Sequence, residues 1–122
     1  MAVLLLIEDN RSLREATARL LEVEGYTVVT AEGGAEAWAL LENGLRPGAI
    51  VLDLTLPDMD GFQFREQQLE NSQLATIPVV IWSGRALSPN DLALLRGAAV
   101  LVKPSHAAAV LRTIQAVCPL DA

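Results

Sequence analysis

The sequence predicts a doubly wound α/β fold, a five-stranded parallel sheet with helices on both faces. Two observations carry this expectation. Five short apolar runs of strand length alternate with five helix-forming segments. The runs are apolar almost throughout instead of alternating with polar residues, which is the pattern of strands covered on both sides. Parallel neighbours need crossover connections of consistent hand, so such an alternation wraps helices over both faces of one sheet.

The first run is Val3-Leu4-Leu5-Leu6-Ile7, ending at Glu8 and Asp9. Ser12-Leu13-Arg14-Glu15 matches a capping box, and Leu13, Ala16, Thr17, Leu20 and Leu21 predict the apolar face of a helix that stops at Gly25. Tyr26 to Thr30 is strand-like through its β-branched residues, and Ala35 to Glu42 is helix-like until Asn43-Gly44 breaks it. Ala49 to Leu54 forms the third strand, apolar except for Asp53 near its end. After the turn Pro57-Asp58-Met59-Asp60-Gly61, a helix is expected over Phe62 to Leu69. Pro78 to Ser83 reads as the fourth strand, and Ser88-Pro89-Asn90-Asp91 signals a capped helix running to Arg96. Ala98 to Val102 is the fifth strand. Ser105 is placed to cap a last helix whose Val110, Leu111, Ile114, Val117 and Cys118 share a face.

At 122 residues and 52% hydrophobic, the chain suits one compact core, and residues 1–122 are expected to form one domain. The net charge of −6 has the wrong sign for a protein that neutralises nucleic-acid phosphates, which argues against direct nucleic-acid binding. A single cysteine, Cys118, excludes an intramolecular disulfide and fits a reducing compartment, so cytoplasmic localisation is expected. The apolar run from Ala2 to Ile7 has no basic segment before it and meets Glu8 and Asp9 at once, unlike a signal peptide. No stretch approaches the length of a membrane-spanning helix, so no membrane association is expected.

In doubly wound sheets the functional crevice lies beyond the carboxyl ends of the strands, where the strand order reverses. Those ends carry Glu8 and Asp9, Asp53, Ser83 and Lys103. Three carboxylates gathered in one cleft repel one another and call for a cation. A hard divalent ion such as Mg²⁺ suits an all-oxygen set better than Zn²⁺ does. In that field Asp53 has the character of a nucleophile toward phosphorus, with Lys103 neutralising a phosphoryl oxygen and Ser83 donating a hydrogen bond to another.

The ordered set Glu8-Asp9, Asp53, Pro57, Gly61, Ser83-Gly84 and Lys103-Pro104 resembles the receiver domains of two-component response regulators, CheY-like domains of flavodoxin-like fold. The resemblance spans nearly the whole chain, with 44 residues from Asp9 to Asp53, 30 from Asp53 to Ser83 and 20 from Ser83 to Lys103. It implies a phosphorelay switch in which Asp53 is the phosphoacceptor and Mg²⁺ the cofactor. Asp9 would be a direct metal ligand, Glu8 an acidic partner acting through water, and the Thr55 backbone carbonyl a further ligand. By the same resemblance the Thr55 side chain would face the phosphoryl group, Gly84 would leave room beside it, and Lys103-Pro104 is a candidate cis peptide. Such a domain catalyses its own aspartyl phosphorylation and dephosphorylation without being a conventional enzyme. Its implied partners are a sensor histidine kinase or histidine phosphotransferase and a downstream target or output domain. The sequence neither demands nor excludes a homodimer through the fourth helix, fifth strand and fifth helix.

Two departures from the family pattern stand out. The position three residues before Lys103, where the family carries a switch aromatic, holds Val100. The Ser83–Lys103 segment is short for the family, implying a trimmed fourth helix. The competing readings are a degenerate receiver that binds partners without phosphorylation, an aspartyl-phosphate phosphatase, and a flavin module. The phosphatase lacks its general acid, because Thr55 stands two residues after Asp53. The flavin module lacks a Ser/Thr/Gly-rich phosphate loop after the first strand. Trp38 and Trp82 read as packing residues, Cys118 as a small apolar residue, His106 as a polar residue without a role, and Gly33-Gly34 as a loop before a helix.

Overall fold

A computed structural model describes residues 2–103 and 107–120. Five strands alternate with five helices: β1 Val3–Ile7, α1 Arg11–Val23, β2 Thr27–Ala31, α2 Gly34–Glu42, β3 Ala49–Asp53, α3 Gly61–Glu70, β4 Val79–Ser83, α4 Pro89–Leu95, β5 Ala99–Val102 and α5 Ala107–Val117. The strands form one parallel sheet in the order β2-β1-β3-β4-β5. This is the doubly wound α/β architecture read from the sequence.

Successive strand residues point to opposite faces, and the core divides accordingly. Leu5, Ile7, Ile50, Leu52, Val79 and Ile81 pack with Ala37, Leu41, Phe64 and Leu95, from α2, α3 and α4. Leu4, Leu6, Val51, Val80 and Trp82 pack with Ala18, Leu21, Val110 and Ile114, from α1 and α5. β1, β3 and β4 are therefore enclosed on both sides, and each fully buried Leu or Ile contributes about 1.5–3 kcal/mol of hydrophobic stabilisation.

Helix α1 departs from the expected start, and its face only in part: Thr17 and Leu21 are buried and Leu13 packs against the core as expected. Its N-cap is Asn10, whose Oδ1 accepts from the Leu13 N–H at 3.0 Å, while Ser12 lies inside the helix. Glu15, the expected partner in a Ser12 box, instead accepts from Arg11 Nε at 3.0 Å. The buried face is Arg14, Thr17, Ala18 and Leu21, with Ala16 exposed. Arg14 is tolerated inside because its guanidinium donates to the Glu8 carbonyl at 2.9 Å and toward the Asp9 carbonyl at 3.4 Å. Tyr26 precedes β2, and its hydroxyl donates to the Cys118 carbonyl at 2.8 Å.

The short α4 has the expected start, with Ser88 and Asp91 forming a capping box and Pro89 in the first turn. It ends at Arg96, which adopts φ 51°. Buried Arg65 of α3 satisfies that helix end by donating to the carbonyls of Leu95 at 3.0 Å and Arg96 at 3.1 Å, and it is itself bonded to Gln68. The expected cap at Ser105, the Lys103-Pro104 peptide and His106 involve residues outside the described ones. No helix among the described residues is long and apolar enough to cross a membrane.

Candidate functional site

The strand order reverses between β1 and β3, whose registered pair Ile7 and Leu52 brings Glu8 and Asp53 out side by side. Asp53 in turn pairs with Trp82, and Ser83 with Val102, just before Lys103. The carboxylates of Glu8, Asp9 and Asp53 each offer an oxygen within 4.8 Å of the others. Lys103 Nζ lies 2.7 Å from Glu8 Oε1 and 3.2 Å from Asp53 Oδ2. Thr55 and Gly84 line the same cleft.

These charges sit at different depths. Glu8 is 1% and Asp53 5% exposed, whereas Asp9 faces solvent. Burial pushes the Glu8 carboxyl above its ordinary range, and the neighbouring Asp53 charge adds to this. Hydrogen bonds from Lys103 and from the Asn10 N–H, together with the Lys103 charge, restrain the rise. For Lys103, burial acts against the ammonium, but the hydrogen bond to Glu8 and the charges of Asp53 and Glu8 outweigh it and raise its pKa. Its ammonium also lies 5.2 Å from the centroid of the Trp82 ring. Asp53 Oδ1 accepts from the Thr55 N–H at 2.9 Å, which aims the carboxylate.

The donor set fits Mg²⁺. It is all oxygen, and three carboxylates face one lysine, so a divalent ion would offset their excess negative charge. Ser83 stands at the end of β4, but its hydroxyl is turned to the backbone of Arg85, donating to the carbonyl at 2.6 Å and accepting from the N–H at 3.1 Å. Val100 is half-buried against the α2–α4 core.

Three participants escaped the sequence reading. Arg14 holds the backbone of Glu8 and Asp9, Asn10 bonds Glu8 Oε2, and Asp58 reaches α2. A polar residue on an otherwise apolar helix face was the available signal for Arg14. No local signal marked Asp58, whose partners lie 23 and 24 residues away.

A strand-end acidic cleft at the reversal point of a five-stranded parallel sheet places this chain among doubly wound domains that bind ligands at that crevice, and comparison with known proteins narrows the class. The model of the response regulator receiver domain matches residues 4–115. The chain belongs to that family. It is similar to Protein PilH of Pseudomonas aeruginosa, 29% identical over 119 residues that cover 96% of this chain and 98% of PilH. It is 33% identical to response regulator Rre1 of Synechocystis sp. over 86 residues, 70% of this chain and 37% of Rre1, so it spans little more than a third of that relative. Among solved structures, the chemotaxis protein CheY4 of Vibrio cholerae superposes with a TM-score of 0.87 at 31% identity, covering 96% of this chain and 98% of CheY4.

Proposed function

We propose that this receiver domain, taken as one unit over residues 1–122, accepts a phosphoryl group on Asp53 in a cytoplasmic two-component phosphorelay. The observation that carries the reading is the meeting of Glu8, Asp9 and Asp53 within 4.8 Å, with Lys103 bonded to two of them. An Asp53 oxygen attacks phosphorus as the bond to the donor's histidine nitrogen breaks, giving an aspartyl phosphate. Glu8, Asp9 and the Thr55 carbonyl, with Asp53, are the residues that would hold Mg²⁺, which supplies charge neutralisation when bound. Lys103 stays paired with the transferred group and balances one phosphoryl oxygen. The Ser83 hydroxyl exchanges the Arg85 carbonyl for another, and Gly84, which has open space beside it, leaves room for the group. The donor is a sensor histidine kinase or histidine phosphotransferase, and the recipient of the signal a downstream protein or output domain.

Val100 favours a second reading, a receiver that binds partners without phosphorylation, because it offers no ring to reorient. Incubation with Mg²⁺ and acetyl phosphate separates the two. One phosphoryl group by intact mass, lost in Asp53→Asn, supports phosphoacceptance. An unmodified wild type selects the binding module.

A further inference from the structure

The loop between β3 and α3 carries Thr55 on the rim of the acidic cleft, and it is held at both ends. At its base, Thr55 and Asp60 form an antiparallel bridge, and the Gly61 N–H donates to the Leu54 carbonyl at 3.1 Å. At its tip, the Asp58 carboxylate accepts from the Gly34 N–H at 3.0 Å and from the Ala35 N–H at 2.9 Å. Those are the first two N–H groups of α2, which a helix leaves without internal partners. The α2 N-cap residue, Gly33, has no side chain with which to satisfy them. A carboxylate supplied from another loop does so, and the helix dipole favours its charge. The two N–H groups also hold the Asp58 carboxyl below its ordinary range.

The adjoining glycines are cut to the same contact. A Cβ on Gly33 would fall 2.6 Å from Asp58 Oδ1, and one on Gly34 would fall 2.9 Å from the Met59 side chain. Gly33 is extended at φ −161°, a conformation open to any residue, so its need for glycine is one of space. We propose that Asp58 is a positioning residue for the divalent-cation site: clasped to the start of α2, it fixes the loop that presents the Thr55 backbone to the acidic cleft. It does not line the acidic cleft itself. The inference rests on the receiver reading above.

Two substitutions open the clasp from opposite sides. Asp58→Ala removes the carboxylate, and Gly33→Ala drives a methyl into it while keeping its charge. Mg²⁺ binding to the full chain, followed by calorimetry and by Trp82 fluorescence, is expected to weaken by about tenfold in each, in line with the loss of groups that orient metal ligands. The double variant should bind no more weakly than Asp58→Ala alone, because the added methyl then meets no carboxylate. In the metal-free protein, hydrogen exchange at the Gly34 and Ala35 amides should accelerate in both single variants, with the modest fall in urea midpoint that loss of a helix cap brings. Wild-type affinity in both variants, or additive losses in the double, overturns the clasp and leaves the receiver reading standing. A wild type that binds no Mg²⁺ overturns both.

Discussion

Replacing Lys103 by methionine keeps the side-chain stem and deletes the ammonium that faces two buried carboxylates. Its Nζ lies 2.7 Å from Glu8 and 3.2 Å from Asp53, whose side chains are 1% and 6% exposed, while that of Lys103 is 23% exposed. Removing one partner of a buried pair costs about 3–5 kcal/mol, and the partial exposure of Lys103 argues for the lower end, about 3 kcal/mol near neutral pH without metal. The pH dependence gives the sharper test. Burial raises the Glu8 carboxyl above its ordinary value of 4.5, and Lys103 restrains that rise through a hydrogen bond and its charge. A carboxyl raised in the folded state binds more protons there than in the unfolded chain. Its contribution to stability is complete below 4.5 and is lost as pH climbs through the folded value. Without Lys103 the folded value rises further, and more is lost. The deficit of the variant should therefore widen with pH, from about 1 kcal/mol near pH 4, the worth of an ordinary hydrogen bond, to about 3 kcal/mol near pH 7.5. Urea unfolding in chelator across that range measures it. A deficit independent of pH would refute the assignment of Lys103 as the counter-charge to Glu8.

Arg65→Met removes donors to Leu95, Arg96 and Gln68 and should cost about 3 kcal/mol in urea unfolding; a loss below about 1 kcal/mol would mean that water replaces the guanidinium at the end of α4. Gly61→Ala places a methyl 2.6 Å from the Leu54 Cα and 3.0 Å from the Asp53 carbonyl, atoms that shift only with the backbone. It should cost about 2 kcal/mol and slow phosphorylation by acetyl phosphate, and a neutral effect on both would contradict the close approach. Mg²⁺ at about one hundred times its Kd should add about 2.7 kcal/mol to wild-type stability. Asp9→Asn should reduce that gain, as followed by thermal melting at fixed metal concentration.

The sheet was legible because its strands are doubly covered and so read as unbroken apolar runs, within which Asp53 could not pass for a solvated surface residue. The nearness of Glu8, Asp9, Asp53 and Lys103 followed from their places at strand ends, since a parallel sheet brings all its carboxyl ends to one edge. What supports those residues was not legible. Arg14 sits where a helical apolar face would put a hydrophobe, and its partners are backbone carbonyls, which carry no residue identity to read. The Asn10 cap was displaced in the reading by a Ser12–Glu15 spacing that matches a capping box, but Arg11 engages Glu15. Asp58 looked like an ordinary turn residue, because the helix end that it satisfies belongs to a different β-α unit.

The arrangement around Ser83 bears on how a receiver lacking an aromatic at position 100 can connect its cleft to its surface. The hydroxyl makes two hydrogen bonds to the backbone of Arg85, and the Arg85 guanidinium reaches Asp91 Oδ2 at 2.9 Å. Asp91 also accepts from the Ser88 N–H, completing the capping box of α4. The strand-end hydroxyl, the loop after it and the first turn of α4 thus form one hydrogen-bonded chain. A hydroxyl drawn toward the cleft leaves both the N–H and the carbonyl of Arg85 to find other partners, and the same residue holds the start of α4. The far end of that helix is fixed separately by Arg65. Val100 packs against the core cluster that contains Leu95 of α4, so at position 100 an aliphatic side chain takes part in holding that helix in place.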